Sequence, residues 1–202
     1  MTLQDQFGNI DIYLFDQLLR GRIAPGMRVF DAGCGGGRNL VYLLREGYDV
    51  CGVDTNRAAV AELQGLAARL AAPGAISDFR AESIEASSFP GAHADVVIAN
   101  AVLHFARDHA HFEAMLLGMW RVLRPGGILI ARLASTIGMA EQMTPLGEGR
   151  HRLPHGIEWY LVDAPALLDW TRRLGAQLID PLKTTVVHEE RAMTTWVIRK
   201  PK

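Results

Sequence analysis

An aspartate followed almost at once by a run of glycines is the first place in this chain where residue types suggest chemistry. In VFDAGCGGGRN (Val29 to Asn39), Asp31 precedes Gly33, Gly35, Gly36 and Gly37. Glycine has no Cβ, so such positions can take positive φ and let a bound molecule lie against the backbone. A turn of this kind often offers backbone N–H groups and a helix N-terminus to a pyrophosphate. A carboxylate beside it would repel a pyrophosphate and attract an ammonium or a sulfonium. Asp31 therefore argues for a cationic ligand, against the plainer reading of a strand-to-helix turn that merely needs glycine.

The second cluster is VDTN (Val53 to Asn56), where Asp54 closes a short apolar run. An acid at the end of the second strand accepts hydrogen bonds from ribose hydroxyls in many nucleotide sites. The alternative is an N-cap for the helix that begins near Arg57. Arg38 and Asn39 follow the glycines directly. An amide there can reach a ligand's carboxylate or cap the helix, while Arg38 reads as solvated.

These residues need a frame, and the hydrophobic pattern supplies one. Short runs rich in Val and Ile alternate with longer stretches whose apolar residues recur at helical spacing. Helices are expected over residues 12–19, 39–45, 57–72, 111–123 and 164–174. Strands are expected over 27–30, 49–53, 75–80, 95–99, 128–133, 182–188 and 192–199, with Arg124 to Gly127 as a turn. Alternating strands and helices pair in parallel through crossover connections, and the last two strands form an antiparallel hairpin. The expected fold is a Rossmann-like three-layer α/β/α sandwich, its seven-stranded sheet mostly parallel. One domain spans 1–202, with a helical cover at 1–24. Between 134 and 162 the pattern breaks, and a long loop or lid is expected, a place where function often resides.

Composition narrows the classes. The 202 residues are 49% hydrophobic and 21% charged with a net charge of −1, ordinary for a folded globular chain. Near-neutral charge gives no footprint for a nucleic-acid partner, so a small molecule is expected instead. No basic leader and no long apolar run are seen, and Cys34 and Cys51 make no disulfide framework, so no membrane partner and a cytoplasmic location are expected. His93, His109, His111 and His188 show no metal-ligand spacing, and no metal is expected.

Four ordered segments now resemble one family. VFDAGCGGGRN, the acid of VDTN, RAESIEASSFPGAHADVVIANAVLHF and WRVLRPGGILIARL together look like a class I S-adenosylmethionine-dependent methyltransferase, nearest to the small tellurite-resistance type (TehB-like) and related small-molecule members. That resemblance implies S-adenosyl-L-methionine as cofactor and S-adenosyl-L-homocysteine as product. It implies Asp31 with the Gly33 and Gly35 backbone, and Asn39, toward the methionine moiety; Asp54 and Thr55 toward the ribose; and Glu82, Ser83 and Ile84 toward the adenine. Asn100 would open the loop beside the acceptor. Glu82 stands where the family more often has Asp, and the segment after it lacks the usual acidic run.

Methyl transfer from a sulfonium is an in-line displacement whose rate can come from alignment and desolvation, with a base needed only for some acceptors. His104, in NAVLHF, is the candidate base, with a packing histidine as the alternative. His155 and Trp159 in the lid are candidate substrate contacts. Phe7 and Tyr13 are placed to close over the methionine end, or, for Tyr13, to pack in the core. Asn100 is not followed by a Pro-Pro-Tyr run, so nothing suggests a flipped nucleobase. Two other readings stand beside methyl transfer: a non-catalytic S-adenosylmethionine-binding or regulatory protein, and an NAD-dependent oxidoreductase, which Asp31 disfavours.

Overall fold

The computed structural model describes residues 2–202. Two short helices come first, α1 (Leu3–Phe7) and α2 (Ile12–Leu19). Thr2 and Asp5 cap α1 reciprocally, and the Asp11 carboxylate caps α2 by accepting from the Tyr13 amide. Then β1 (Arg28–Ala32), α3 (Val41–Arg45), β2 (Asp49–Val53), α4 (Arg57–Leu70), β3 (Ser77–Arg80), β4 (Ala94–Asn100), α5 (His109–Val122) and β5 (Leu123–Ser135) follow. Asn56 and Asp108 cap α4 and α5, so the polar residue before each apolar stretch starts the helix.

The sheet runs β1 beside β2 and β4, β2 beside β3, and β4 beside β5, all parallel. The remaining elements are β6 (Thr144–Gly147), β7 (Arg150–Arg152), β8 (Glu158–Tyr160), α6 (Ala164–Arg173), β9 (Gln177–Leu178), β10 (Lys183–Val187) and β11 (Arg191–Arg199). β11 pairs antiparallel with β5, β10 and β9, which gives the spatial order β10-β11-β5-β4-β1-β2-β3 with β9 off that path. This is the Rossmann-like sandwich with a C-terminal hairpin; the two-residue β9 was not anticipated.

Period-two alternation divides the core between the two faces. Val29, Val96, Ile98, Ile128 and Ile130 meet Leu14, Leu43, Leu44, Val60 and Leu63 on the side of α2, α3 and α4. Phe30, Val97, Ala99, Leu129 and Trp196 meet Phe112, Leu116, Met119 and Leu167 on the side of α5 and α6. A fully buried Val, Leu, Ile, Phe or Met among them contributes about 1.5–3 kcal/mol.

Three expectations are corrected. The segment expected as a turn at Arg124 to Gly127 belongs to β5, which bulges against β4 there and at its other end runs on to Ser135 beside Ala192 of β11. α3 begins at Val41, because residues 37–40 are tied in a tight turn, the Leu40 amide donating to the Gly37 carbonyl at 2.9 Å. Residues 134–162 are not a structureless loop: β6, β7 and β8 form an antiparallel sheet. It packs through Met139, Met143, Leu153 and Leu161 on Ala134, Ala192 and Met193. No helix among the described residues is long and apolar enough to cross a membrane.

Candidate functional site

The carboxyl ends of β1, β2 and β4 converge on the Gly-rich turn, the position where open α/β sheets place their ligands. Gly33, Gly35 and Gly37 have φ of +84°, +46° and +81°. The amides of Gly33 and Cys34 donate to the Val53 carbonyl at 2.8 and 3.0 Å, and the Gly35 amide donates to Asp54 Oδ2 at 2.9 Å. The turn is thereby sewn to the end of β2. A Cβ on Gly33 would lie 2.5 Å from Val102 Cγ2, so both the dihedral and the neighbour demand glycine.

Two cavities meet at Gly33. One, of about 400 Å³, is bordered by Asp54, Thr55, Glu82, Ser83 and Ile84, with Val102, Phe105 and Met115 as apolar walls. The other, of about 370 Å³, lies over Gly33 to Asn39 and is bordered by Gly8, Asn9 and Asn100. The first has an apolar wall and a polar one; the second mixes the glycine turn with Arg38, Asn39, Val41 and Leu66.

Asp31 sits at 2% exposure with no hydrogen-bond partner for its carboxylate among the described residues. Burial pushes its pKa up to about 7; the Arg38 charge opposes that rise and the Asp54 charge adds to it. A buried carboxyl so placed gains from a cation brought to it and loses from a second anion. Asp54 spends one oxygen on Gly35 and the other on the Asn56 amide at 2.8 Å. Each oxygen accepts two hydrogen bonds, so capacity for hydroxyl donors remains.

Other expected positions are tied differently. Asn39 is buried and its Oδ1 accepts the Asp11 amide at 3.0 Å, so this amide anchors the N-terminal cover to the turn. Asp11 also pairs with Arg132 at 3.1 Å, a second clasp on the cover. Arg38, expected to be solvated, is exposed yet donates to Asn100 Oδ1 at 2.7 Å, bridging the Gly-rich turn and the end of β4. Glu82 turns to Ser88: its carboxylate accepts from the Ser88 amide at 2.8 Å and the Ser88 hydroxyl at 2.6 Å, which hold its pKa below the usual range.

His104 is not arranged as a base. A single turn of 3-10 helix, Leu103–Phe105, turns the imidazole inward to 3% exposure. Nδ1 accepts the Ala134 amide at 3.3 Å, which leaves the proton on Nε2, and burial followed by the Arg132 charge lowers the pKa to about 4. The ring lies 4.4 Å from Trp159, so it packs under the small sheet. Trp159 reaches the mouth of the larger cavity only through Phe105, whose ring stands at 85° to it. His155 is exposed in the β7–β8 turn and borders neither cavity. Phe7 stacks on Tyr42 at 5.1 Å, and the Tyr13 hydroxyl bonds Thr185, so both rings serve packing of the cover.

Sequence reasoning missed the far wall of the larger cavity, where Glu85, Arg107 and His111 stand with Met115. The signal was present in Asp108, whose N-cap bond to the His111 amide at 2.7 Å fixes His111 in the first turn of α5. No group of three His, Cys, Asp or Glu side chains able to hold a metal occurs among the described residues.

A family described as a methyltransferase domain matches residues 30–131. The tRNA U34 carboxymethyltransferase of Pseudomonas fluorescens (strain SBW25) is 31% identical over 186 residues, 87% of this chain and 55% of that protein. The ubiquinone biosynthesis O-methyltransferase of Sinorhizobium fredii (strain NBRC 101917 / NGR234) is 31% identical over 138 residues, 67% of this chain and 53% of that one. The chain thus spans about half the length of the curated relatives it matches. Among solved structures, Burkholderia thailandensis 1,6-didemethyltoxoflavin-N1-methyltransferase, with bound 1,6-didemethyltoxoflavin and S-adenosylhomocysteine, shares the fold. Its TM-score is 0.73 at 20% identity, over 97% of this chain and 80% of that one.

Proposed function

The chain belongs to the methyltransferase-domain family, and on that premise we propose that it transfers a methyl group from S-adenosyl-L-methionine to a small-molecule acceptor by in-line displacement. The observation that carries the donor is Asp31: a buried carboxyl without a partner, beside a glycine turn sewn to Asp54. Such a site favours the ammonium of an amino acid over the pyrophosphate of a dinucleotide, which speaks against the NAD-dependent reading.

The sulfonium donor supplies an already activated methyl group. The chain's own residues supply position and exclusion of water. Asp31 and the backbone of Gly33 and Gly35 hold the amino-acid end. Asp54 and Thr55 hold the ribose, and Ser83 and Ile84 flank the base. Val102, Phe105 and Met115 make the larger cavity dry on one side. Asn100, held by Arg38, sits at the end of β4 where the acceptor approaches. A small acceptor fits a chain whose net charge is −1 and whose relatives include an enzyme named for ubiquinone biosynthesis. Two free, buried cysteines suit a cytoplasmic setting.

One observation favours a second reading, a protein that binds the cofactor without turning it over: His104 is spent on Ala134 and is not available as a base. A screen of thiols, phenols, amines and chalcogen oxyanions, read by formation of S-adenosylhomocysteine, separates the two. Turnover with any acceptor rejects the binding-only reading. Tight cofactor binding with no turnover across the panel favours it.

A further inference from the structure

A row of polar side chains crosses four adjacent strands beneath helix α2. The register pairs Asn100 of β4 with Arg132 of β5, Arg132 with Thr195 of β11, and Thr195 with Lys183 of β10. Partners in register share one face of a sheet. Two contacts show that this face looks toward α2: Arg132 pairs at 3.1 Å with Asp11, the N-cap of that helix, and its guanidinium carbon lies 5.4 Å from the centroid of the Tyr13 ring. Lys183 reaches Asp16 of the same helix at 3.8 Å.

Two atoms of this row are buried without a hydrogen-bond partner: Arg132 Nε and Thr195 Oγ1. Thr195 is 4% exposed and stands directly across the β5–β11 pair from Arg132. A buried N–H or O–H left unpaired is costly, and such groups normally meet protein, ordered water or a ligand. The Nε edge of an arginine presents two parallel N–H groups, which match the two oxygens of a carboxylate. Asp11 takes Nη1, so that edge is left free for another partner, and the Arg132 side chain keeps 20% exposure. Arg132 borders neither cavity. Its neighbour in register, Asn100, borders the smaller one, and Asp11 is bonded to Asn39, which borders it as well. The free edge therefore lies one strand spacing, about 4.8 Å, beyond the residue beside which the acceptor approaches.

We infer that the acceptor is an acid, its carboxylate held by the Nε edge of Arg132 with the Thr195 hydroxyl as a further donor. The inference rests on the methyltransferase reading and names the substrate class of that same site. Asp11 keeps Nη1 and opposes the incoming carboxylate by its charge, while Lys183 adds a second positive charge along the row. A neutral amide of the same shape turns N–H groups toward the guanidinium and is disfavoured. Arg132 and Thr195 are the specificity-determining residues.

The test is calorimetric titration of the full chain, saturated with S-adenosylhomocysteine, with benzoate, phenylacetate and hexanoate and with the corresponding primary amides. At least one acid binds, and its amide binds more weakly by about tenfold or more, the loss expected when a charge-assisted pair is removed. Arg132→Gln weakens that acid by roughly ten- to a hundredfold, and Thr195→Val, which keeps the side-chain shape, by about two- to tenfold. Asp11→Asn still caps α2 but removes the opposing charge, so the acid binds more tightly; a purely structural clasp gives no such gain. Retained binding of S-adenosylhomocysteine shows that a variant has folded. Should Arg132→Gln fail that check, Thr195→Val and Asp11→Asn decide. No acid bound by the saturated wild type, equal affinity for acid and amide, or an acid affinity unmoved by the folded variants overturns the inference alone. No binding of S-adenosylhomocysteine by the wild type overturns it together with the methyltransferase reading.

Discussion

The carboxylate of Asp54 accepts the backbone amide of Gly35 at 2.9 Å, a side-chain bond that, beside the Gly33 and Cys34 amides on the Val53 carbonyl, joins the end of β2 to the glycine turn after β1. Asp31, buried at the end of β1, lies near enough for the Asp54 charge to raise its pKa, although of the two acids only Asp54 borders the larger cavity.

Asp54→Ala removes both that tie and the acceptor for the ribose hydroxyls. Affinity for S-adenosylmethionine should fall by ~1 to 3 kcal/mol, the range for a charged hydrogen-bonding group lost from a partly buried site. Calorimetry measures it. An unchanged dissociation constant would place the ribose elsewhere.

Asp31 makes binding depend on pH. Its pKa is raised from 3.8 to about 7, so in the free protein near pH 6 the carboxyl is largely protonated. An ammonium drawn to it favours the ionised form, so binding releases a proton there, and affinity climbs as pH rises toward 7 and then levels. Titrations at pH 6 in two buffers of different ionisation enthalpy report that release directly. Asp31→Asn abolishes it and weakens binding at pH 8. An identical proton count in the variant would contradict the assignment.

The same group affects stability of the free chain with a definite sign. The folded state holds the proton more tightly than the unfolded one, so this contribution is present below about 3.8 and lost as pH rises through about 7. His104 acts in the opposite sense, because its folded pKa is lowered from 6.5 to about 4. Its contribution is present above about 6.5 and lost as pH falls toward 4. Urea midpoints against pH for wild type, Asp31→Asn and His104→Gln separate the two.

His104 should show no titration of its ring proton shifts between pH 5.5 and 8, and the pH profile of any turnover should carry no step that His104→Gln removes. His104→Ala leaves the Ala134 amide without its acceptor and opens space beside Trp159. A loss of roughly 1 to 3 kcal/mol in urea unfolding is expected from the amide alone. A rate step near neutrality that vanishes in His104→Gln would restore it as the base.

Gly33→Ala tests the turn. Its φ of +84° and the 2.5 Å approach to Val102 Cγ2 both oppose a side chain. Destabilisation of about 1 to 3 kcal/mol and loss of cofactor binding are expected. Adding Val102→Ala recovers the steric part but not the dihedral part, which unfolding curves resolve. Full recovery in the double variant would mean that the dihedral costs nothing.

The sheet was legible because its strands are short Val and Ile runs set off by glycine and proline; the helix caps were not, since Asp54 was weighed as the cap of the helix at Arg57 where Asn56 holds that place. The glycine turn and the acids at the strand ends were legible as the strands were, since both are local features. What escaped depends on long-range contacts. Residues 134–162 carry little alternation, yet they form a small sheet because their methionines and leucines meet Ala134 and Met193 across the fold. His104 looked available from its loop, and only the approach of the Ala134 amide shows that it is spent. His111 and Glu85 belong to different elements, and nothing in either segment alone signals that Gly118 brings them together.

The most direct test of the donor assignment is calorimetric titration of the wild-type chain with S-adenosylmethionine and, separately, with NAD. Saturable one-to-one binding of S-adenosylmethionine is expected, weakened in both Asp31→Asn and Asp54→Ala, with no heat from NAD. Binding of NAD with no response to S-adenosylmethionine would contradict it.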